Sequence, residues 1–202
     1  AQEARLIQYK WPAVLAYLRA NRLNHDVIRG SKDRFGLIAS GKAYNDTRQA
    51  LLDLGLDEAR CNELGVRLHK VGVVWPLEQE GVRDFARGLR EVLVVEEKRA
   101  IIEPQIKEQL YHWPDAERPV VNGKWDNPQG QGDFLLRPQY ELNPGVIARA
   151  IARRLIALGV DADTRARIDA RLSLLDAKER SLQTQHVQTD RLPWFCSGCP
   201  HN

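Results

Sequence analysis

The run Val92-Leu93-Val94-Val95-Glu96-Glu97-Lys98 sets the tightest limit on how this chain can fold. Successive strand side chains point to opposite sides, so four apolar residues in a row make a strand that is apolar on both faces. Such a strand needs a cover on each side, which points to an interior strand of an α/β layer. The paired carboxylates mark where it leaves the core, at the end where open α/β sheets tend to bind ligands.

The flanking sequence supplies the covers. Residues 36–40 read as a strand, Gly41 as a turn, and Tyr44, Thr47, Ala50, Leu51 and Leu54 recur at helical spacing until Gly55. Asp57 caps a short helical turn ending at Gly65, and residues 66–74 read as a second strand stopped by Trp75-Pro76. Glu78 and Glu80 favour the first turn of a helix whose Val82, Phe85, Ala86 and Leu89 face the sheet. After the opening run, Ile101, Ile102, Ile106 and Leu110 give another amphipathic helix, with Pro104 either kinking it or marking its first turn. Strands alternating with helices predict an open, mostly parallel sheet with right-handed crossovers.

The ends differ in character. Residues 1–34 read as a leading linker with a short helix, polar over 21–33, and residues 113–143 as a long loop or hairpin with short strands at 120–121 and 134–136. Asn143-Pro144 opens a periodic helix through Val146, Ile147, Ala150, Ile151, Leu155 and Leu158, closed by Gly159. A more polar helix follows, so residues 143–190 read as a helical connector after an α/β domain spanning 35–142.

Charge excludes little: 30 basic against 27 acidic residues give +3, spread along the chain, so no basic face argues for nucleic acid or an anionic membrane. No apolar run approaches the roughly 18 residues of a membrane span, and no signal peptide opens the sequence, so a cytoplasmic location is expected. Methionine is absent and the chain stops inside a cysteine motif, which suggests an internal piece of something longer.

Three motifs carry possible chemistry. Gly36 and Gly41-Lys42 have most of the spacing of a phosphate loop, but Ala43 stands where a magnesium-binding hydroxyl belongs and the first glycine precedes the strand. A strand-turn-helix unit is the better reading. Glu96 and Glu97 could form an acid–base pair, yet as neighbours on a strand they point apart and suit contacts to a helix terminus or to a basic side chain. His69 has no Ser or Cys near it in sequence and reads as an ordinary strand histidine. The tail Cys196-Ser-Gly-Cys199-Pro-His201 is the sharpest signal. Redox dithiol, zinc and iron–sulfur readings compete there, and each metal reading needs ligands from outside this chain, since Cys61 suits a small buried apolar position.

Four segments together resemble one family, the large indolepyruvate ferredoxin oxidoreductases, which are thiamine-diphosphate-dependent 2-oxoacid:ferredoxin oxidoreductases. They are Gly41-Lys-Ala-Tyr-Asn-Asp-Thr-Arg-Gln-Ala50, Val71-Gly-Val-Val-Trp-Pro-Leu-Glu78, Val94-Val-Glu-Glu-Lys-Arg99 running into Gln109-Leu-Tyr111, and Phe195-Cys-Ser-Gly-Cys-Pro-His201. The resemblance implies a transketolase C-terminal-like domain lying between two thiamine-diphosphate-binding domains, with residues 191–202 as the start of the second. It implies that Cys196 and Cys199 help ligate an iron–sulfur cluster. For the parent enzyme it implies thiamine diphosphate with Mg, coenzyme A and ferredoxin, neighbouring domains as partners, a homo-oligomer, and oxidative decarboxylation of indolepyruvate or a related aryl 2-oxoacid. The 202-residue chain itself is expected to be inactive, with no catalytic or cofactor-binding residue and no bound cofactor. The rival reading is a stand-alone α/β interaction protein whose CxxC tail holds zinc.

Overall fold

Along the chain, α1 (Gln2–Arg5) passes through a π-helical turn (Leu6–Lys10) into α2 (Trp11–Ala20), followed by β1 (His25–Ile28) and β2 (Phe35–Ser40). Then come α3 (Gly41–Asp53), α4 (Glu58–Leu64), β3 (Val66–Val71), α5 (Gln79–Ala86), β4 (Glu91–Val95) and α6 (Ile102–Leu110). β5 (Val120–Asn122), α7 (Pro144–Ala157) and α8 (Ala162–Thr184) complete the order. The computed structural model describes residues 1–127, 130 and 132–184. Its strands form one sheet in the order β1-β3-β2-β4-β5, parallel except for β1, which runs antiparallel to β3.

Every residue of β4 is buried, and β4 lies between β2 and β5. Its alternation sorts the core into two layers. Leu93 and Val95 join Phe35, Leu37, Ala39, Val66 and Leu68 beneath α3, α4 and α7, whereas Val92 and Val94 join Ile38 beneath α5 and α6. The double cover expected from the apolar run is therefore present. The exact middle of the sheet belongs to β2, one place over from the opening strand.

Gly36 shows how tightly the second layer closes. A Cβ there would stand 2.4 Å from Leu89 Cδ1 and 2.7 Å from Phe85 Cζ, so the end of α5 packs directly on the strand backbone. That contact also disposes of the phosphate-loop reading, because Gly36 sits inside β2 and Gly41 is the first residue of α3, with φ +52°. Asp57 caps α4 by accepting from Arg60 N at 2.8 Å, and Pro104 lies in the first turn of α6, where its missing N–H costs no ladder bond.

Four expectations need correction. The polar stretch 21–33 is more than a linker, since His25–Ile28 forms an edge strand of the sheet. Of the two readings of residues 113–143, loop or hairpin, the hairpin is the one corrected among the described residues: β5 runs parallel to β4 and is reached through α6, and irregular chain follows it. The apolar segment 134–136 is not a strand either, because Leu135 N and Leu136 N both donate to Lys124 O while the two leucines fill the core below α7. Finally, α7 is not a connector. Ile147, Ala148, Ala150, Ile151, Ala152 and Leu155 are buried against the sheet layer, so the α/β unit extends past 142.

Candidate functional site

The C-terminal edge of the sheet is the candidate site, because β2 and β4 both end there beside helix N-termini. Glu96 follows the α6 face of β4 and accepts from Ile101 N and Ile102 N, each at 2.9 Å, and from Glu103 N at 3.1 Å. A carboxylate in that position satisfies helix-terminal donors and meets the positive end of the helix dipole. Glu97 follows the opposite face and accepts from Leu142 N at 3.2 and 3.3 Å, just before α7 begins. Lys98 Nζ donates to Tyr140 O at 2.8 Å. The paired glutamates thus serve separate partners, as their strand register requires.

Two more lysines complete this edge. Lys42 Nζ donates to Asp46 Oδ2 at 2.5 Å and to Leu142 O at 2.9 Å, and pairs with Glu141 Oε1 at 3.1 Å. Lys124 is buried. Its Nζ donates to Glu96 O, and its backbone N donates to Glu103 Oε2 at 3.1 Å. Burial pushes the Lys124 ammonium below its ordinary pKa, and the carboxylates of Glu96, Glu103 and Glu97 only partly oppose that fall. Glu103 in turn holds Lys107 Nζ at 2.6 Å. A Cβ at Gly123 would come within 2.1 Å of Glu103 Oε2, so any larger residue there would displace the Glu103 carboxylate.

Elsewhere, His69 is almost fully buried on β3, with Nδ1 2.6 Å from Asp26 Oδ1 and its ring against Phe85. No nucleophile stands beside it among the contacts of the described residues. Burial works to raise the Asp26 carboxyl, but its contacts with His69 and Arg29 outweigh this and hold it below the usual range. Cys61 is fully buried, its thiol 3.6 Å from Leu56 O, and burial pushes its pKa up to about 12, which makes it an inert core residue. Among the described residues no group of three or more His, Cys, Asp and Glu side chains could hold a metal ion. Cys196 and Cys199 lie outside the described residues.

Sequence reading missed Asp26 and Lys124, whose partners are 43 and 28 residues away in the chain. It also missed a groove of about 490 Å³ between α2, α5 and α6, lined by Trp11, Trp75 and Trp113. The recurrence of tryptophan was the one available sign.

Comparison with known proteins identifies the family. The family model described as "Indolepyruvate ferredoxin oxidoreductase middle domain" matches residues 24–185. The chain belongs to that family. Relatives include indolepyruvate oxidoreductase subunit IorA of Methanothermobacter marburgensis, 30% identical over 181 residues, and that of Pyrococcus abyssi, 28% identical over 175 residues. These alignments cover 90% and 86% of this chain but only 24% and 22% of the relatives, so the chain spans less than a quarter of their length. Among solved structures, a split-gene transketolase described as an inactive β4 tetramer superposes with a TM-score of 0.43 at 20% identity, covering 65% of this chain and 41% of that one. A 2-oxoglutarate:ferredoxin oxidoreductase from Magnetococcus marinus, with 2-oxoglutarate, coenzyme A and succinyl-CoA bound, also gives 0.43, at 13% identity and over 65% and 19% of the two chains. No helix among the described residues is long and apolar enough to cross a membrane.

Proposed function

We propose that this chain is the spacer domain of a longer polypeptide that oxidatively decarboxylates indolepyruvate or a related aryl 2-oxoacid, passing electrons to ferredoxin and the acyl group to coenzyme A. The observation that carries this reading is the filled edge of the sheet. Where an α/β sheet would bind a ligand, Lys42, Glu96, Glu97, Lys98 and Lys124 are all engaged in holding the α6 N-terminus and the backbone at Glu96, Tyr140 and Leu142. The charged side chains there build a rigid body, and family membership supplies the enzyme context.

In that enzyme, thiamine diphosphate with Mg supplies carbanion stabilisation, and this segment's share is to hold the cofactor-binding domains in position. Cys196 and Cys199 are proposed as ligands of an iron–sulfur cluster completed by cysteines outside this sequence. Neighbouring domains are the segment's partners, and a cytoplasmic homo-oligomer is the proposed assembly.

The experiment compares the purified 202-residue chain with the longer polypeptide that contains it. The longer polypeptide should reduce ferredoxin when given indolepyruvate and coenzyme A, and the short chain should fold without turnover. Turnover by the short chain, or a longer polypeptide that ignores every aryl 2-oxoacid, overturns the proposal.

A further inference from the structure

We propose that the tryptophan-lined groove between α2, α5 and α6 binds a free aromatic amino acid. Its volume of about 490 Å³ is in the range of small-ligand sites. Trp11 and Trp75 meet edge to face with centroids 4.9 Å apart, and Trp113 lines the same space, so flat π-faces border a site the size of one aromatic side chain and its backbone.

The polar groups say which ligand. Gln105 is used up in holding the 74–77 turn, accepting from Leu77 N and donating to Val74 O and Ile101 O. Gln109 donates to Leu77 O at 2.9 Å. Arg83 on α5 and Glu108 on α6 are different. Both line the groove and are exposed, and among the described residues neither side chain has a hydrogen-bond or ion-pair partner. They are near enough to border one groove, yet their charged atoms are more than 4.0 Å apart, since they form no ion pair with each other.

A zwitterion offers each of them a partner. Its carboxylate answers Arg83 and its ammonium answers Glu108, leaving no charge desolvated without a counterpart. An aromatic acid alone would face Glu108 with a like charge, and an aromatic amine alone would face Arg83 in the same way. An aliphatic amino acid satisfies both charges but forgoes the ring contacts. The aryl 2-oxoacid of the proposed reaction is this same class of molecule with the amino group replaced by a keto oxygen. The groove therefore lets the segment respond to the amino acid from which amino-group transfer supplies that substrate. Only this last link rests on the proposed function; the binding itself does not.

Isothermal titration of the chain with L-phenylalanine and L-tryptophan tests it. Both should bind saturably at one site, with L-leucine, N-acetyl-L-phenylalanine and L-phenylalaninamide each weaker by about tenfold or more. Glu108→Gln should erase the discrimination against the N-acetyl compound, and Arg83→Gln that against the amide. Both side chains are exposed and unpaired, so each variant should keep the parental melting temperature. Absence of binding up to roughly 10 mM, equal binding of L-leucine, or selectivity unchanged in both variants overturns the proposal. Because the readout is binding to the chain, a failure here is separable from a failure of the longer enzyme to turn over.

Discussion

Arg154 on α7 grips Glu91, the first residue of β4, through two parallel contacts: Nε to Oε1 at 2.6 Å and Nη2 to Oε2 at 2.9 Å. Glu91 is buried and also accepts from Asn122 Nδ2 at 3.0 Å, so one carboxylate joins the helix that covers the sheet to two of its strands. The forked geometry is one that only arginine supplies.

Removing the fork should be costly. Arg154→Ala strands a buried carboxylate, and a loss of about 3 kcal/mol in unfolding free energy is expected, with Arg154→Lys recovering less than half of it. Urea denaturation of the chain measures both; an Arg154→Lys variant as stable as the parent would show that charge alone matters there.

Glu96→Gln tests whether the strand-end carboxylate is structural. The glutamine keeps one acceptor for the α6 N-terminus but loses the charge, for an expected cost of about 1 kcal/mol. Amide exchange at Ile101, Ile102 and Glu103 should quicken most. In the longer enzyme, turnover per folded molecule should stay near the parental value, and a collapse of kcat with normal folding and assembly would return Glu96 to the active site.

What could be read in the sequence follows the range of the interactions. The inner strands, α3, α5 and α7 announce themselves because their partners are implied by their own periodicity, as in the double-faced run at 92–95. β1 gives no such sign: His25-Asp26-Val27-Ile28 is short and half-polar, and Asp26 gains its reason only from His69 on the neighbouring strand. The same holds for Leu135 and Leu136. They look like a strand because they are apolar, but their N–H groups are claimed by the Lys124 carbonyl, which no local pattern reveals. α7 was legible as a helix and illegible as core, since the surface it covers is assembled from strands far upstream.

Gly36→Ala should destabilise by about 2 kcal/mol, because the added methyl meets Phe85 and Leu89 below contact distance. Shortening the opposing side chain makes room. The double variant Gly36→Ala/Leu89→Ala should therefore cost clearly less than the sum of the single variants in thermal melts. Simple additivity would mean that the end of α5 does not press on β2.

Acid should loosen the β1 edge first. The Asp26 carboxyl is held below its ordinary value in the folded chain, so the unfolded chain binds more protons between the two pKa values. Its contribution is fully present above about pH 4, the unfolded value, and is lost as pH falls toward the lower folded value. Asp26→Asn removes that dependence. The parent should lose stability faster than the variant below about pH 4, with the earliest exchange at the amides of residues 25–28. Parallel acid-unfolding curves for the two proteins would mean that the Asp26–His69 contact contributes no charge-dependent stability.

Lys124 moves stability in the same direction with pH for the opposite reason, since folding disfavours its charged form. Burial lowers its pKa on folding, so below the folded value the chain bears the full cost of a buried ammonium. As pH rises from that lowered value toward the unfolded one near about 10.4, the folded chain has already shed a proton the unfolded chain still holds, and stability from this group increases. Lys124→Met has no such group to titrate. The unfolding free energy of the parent relative to Lys124→Met should therefore improve as pH is raised from about 8 to about 10, whatever their difference at neutrality. A constant offset across that interval would mean that the ammonium reaches solvent.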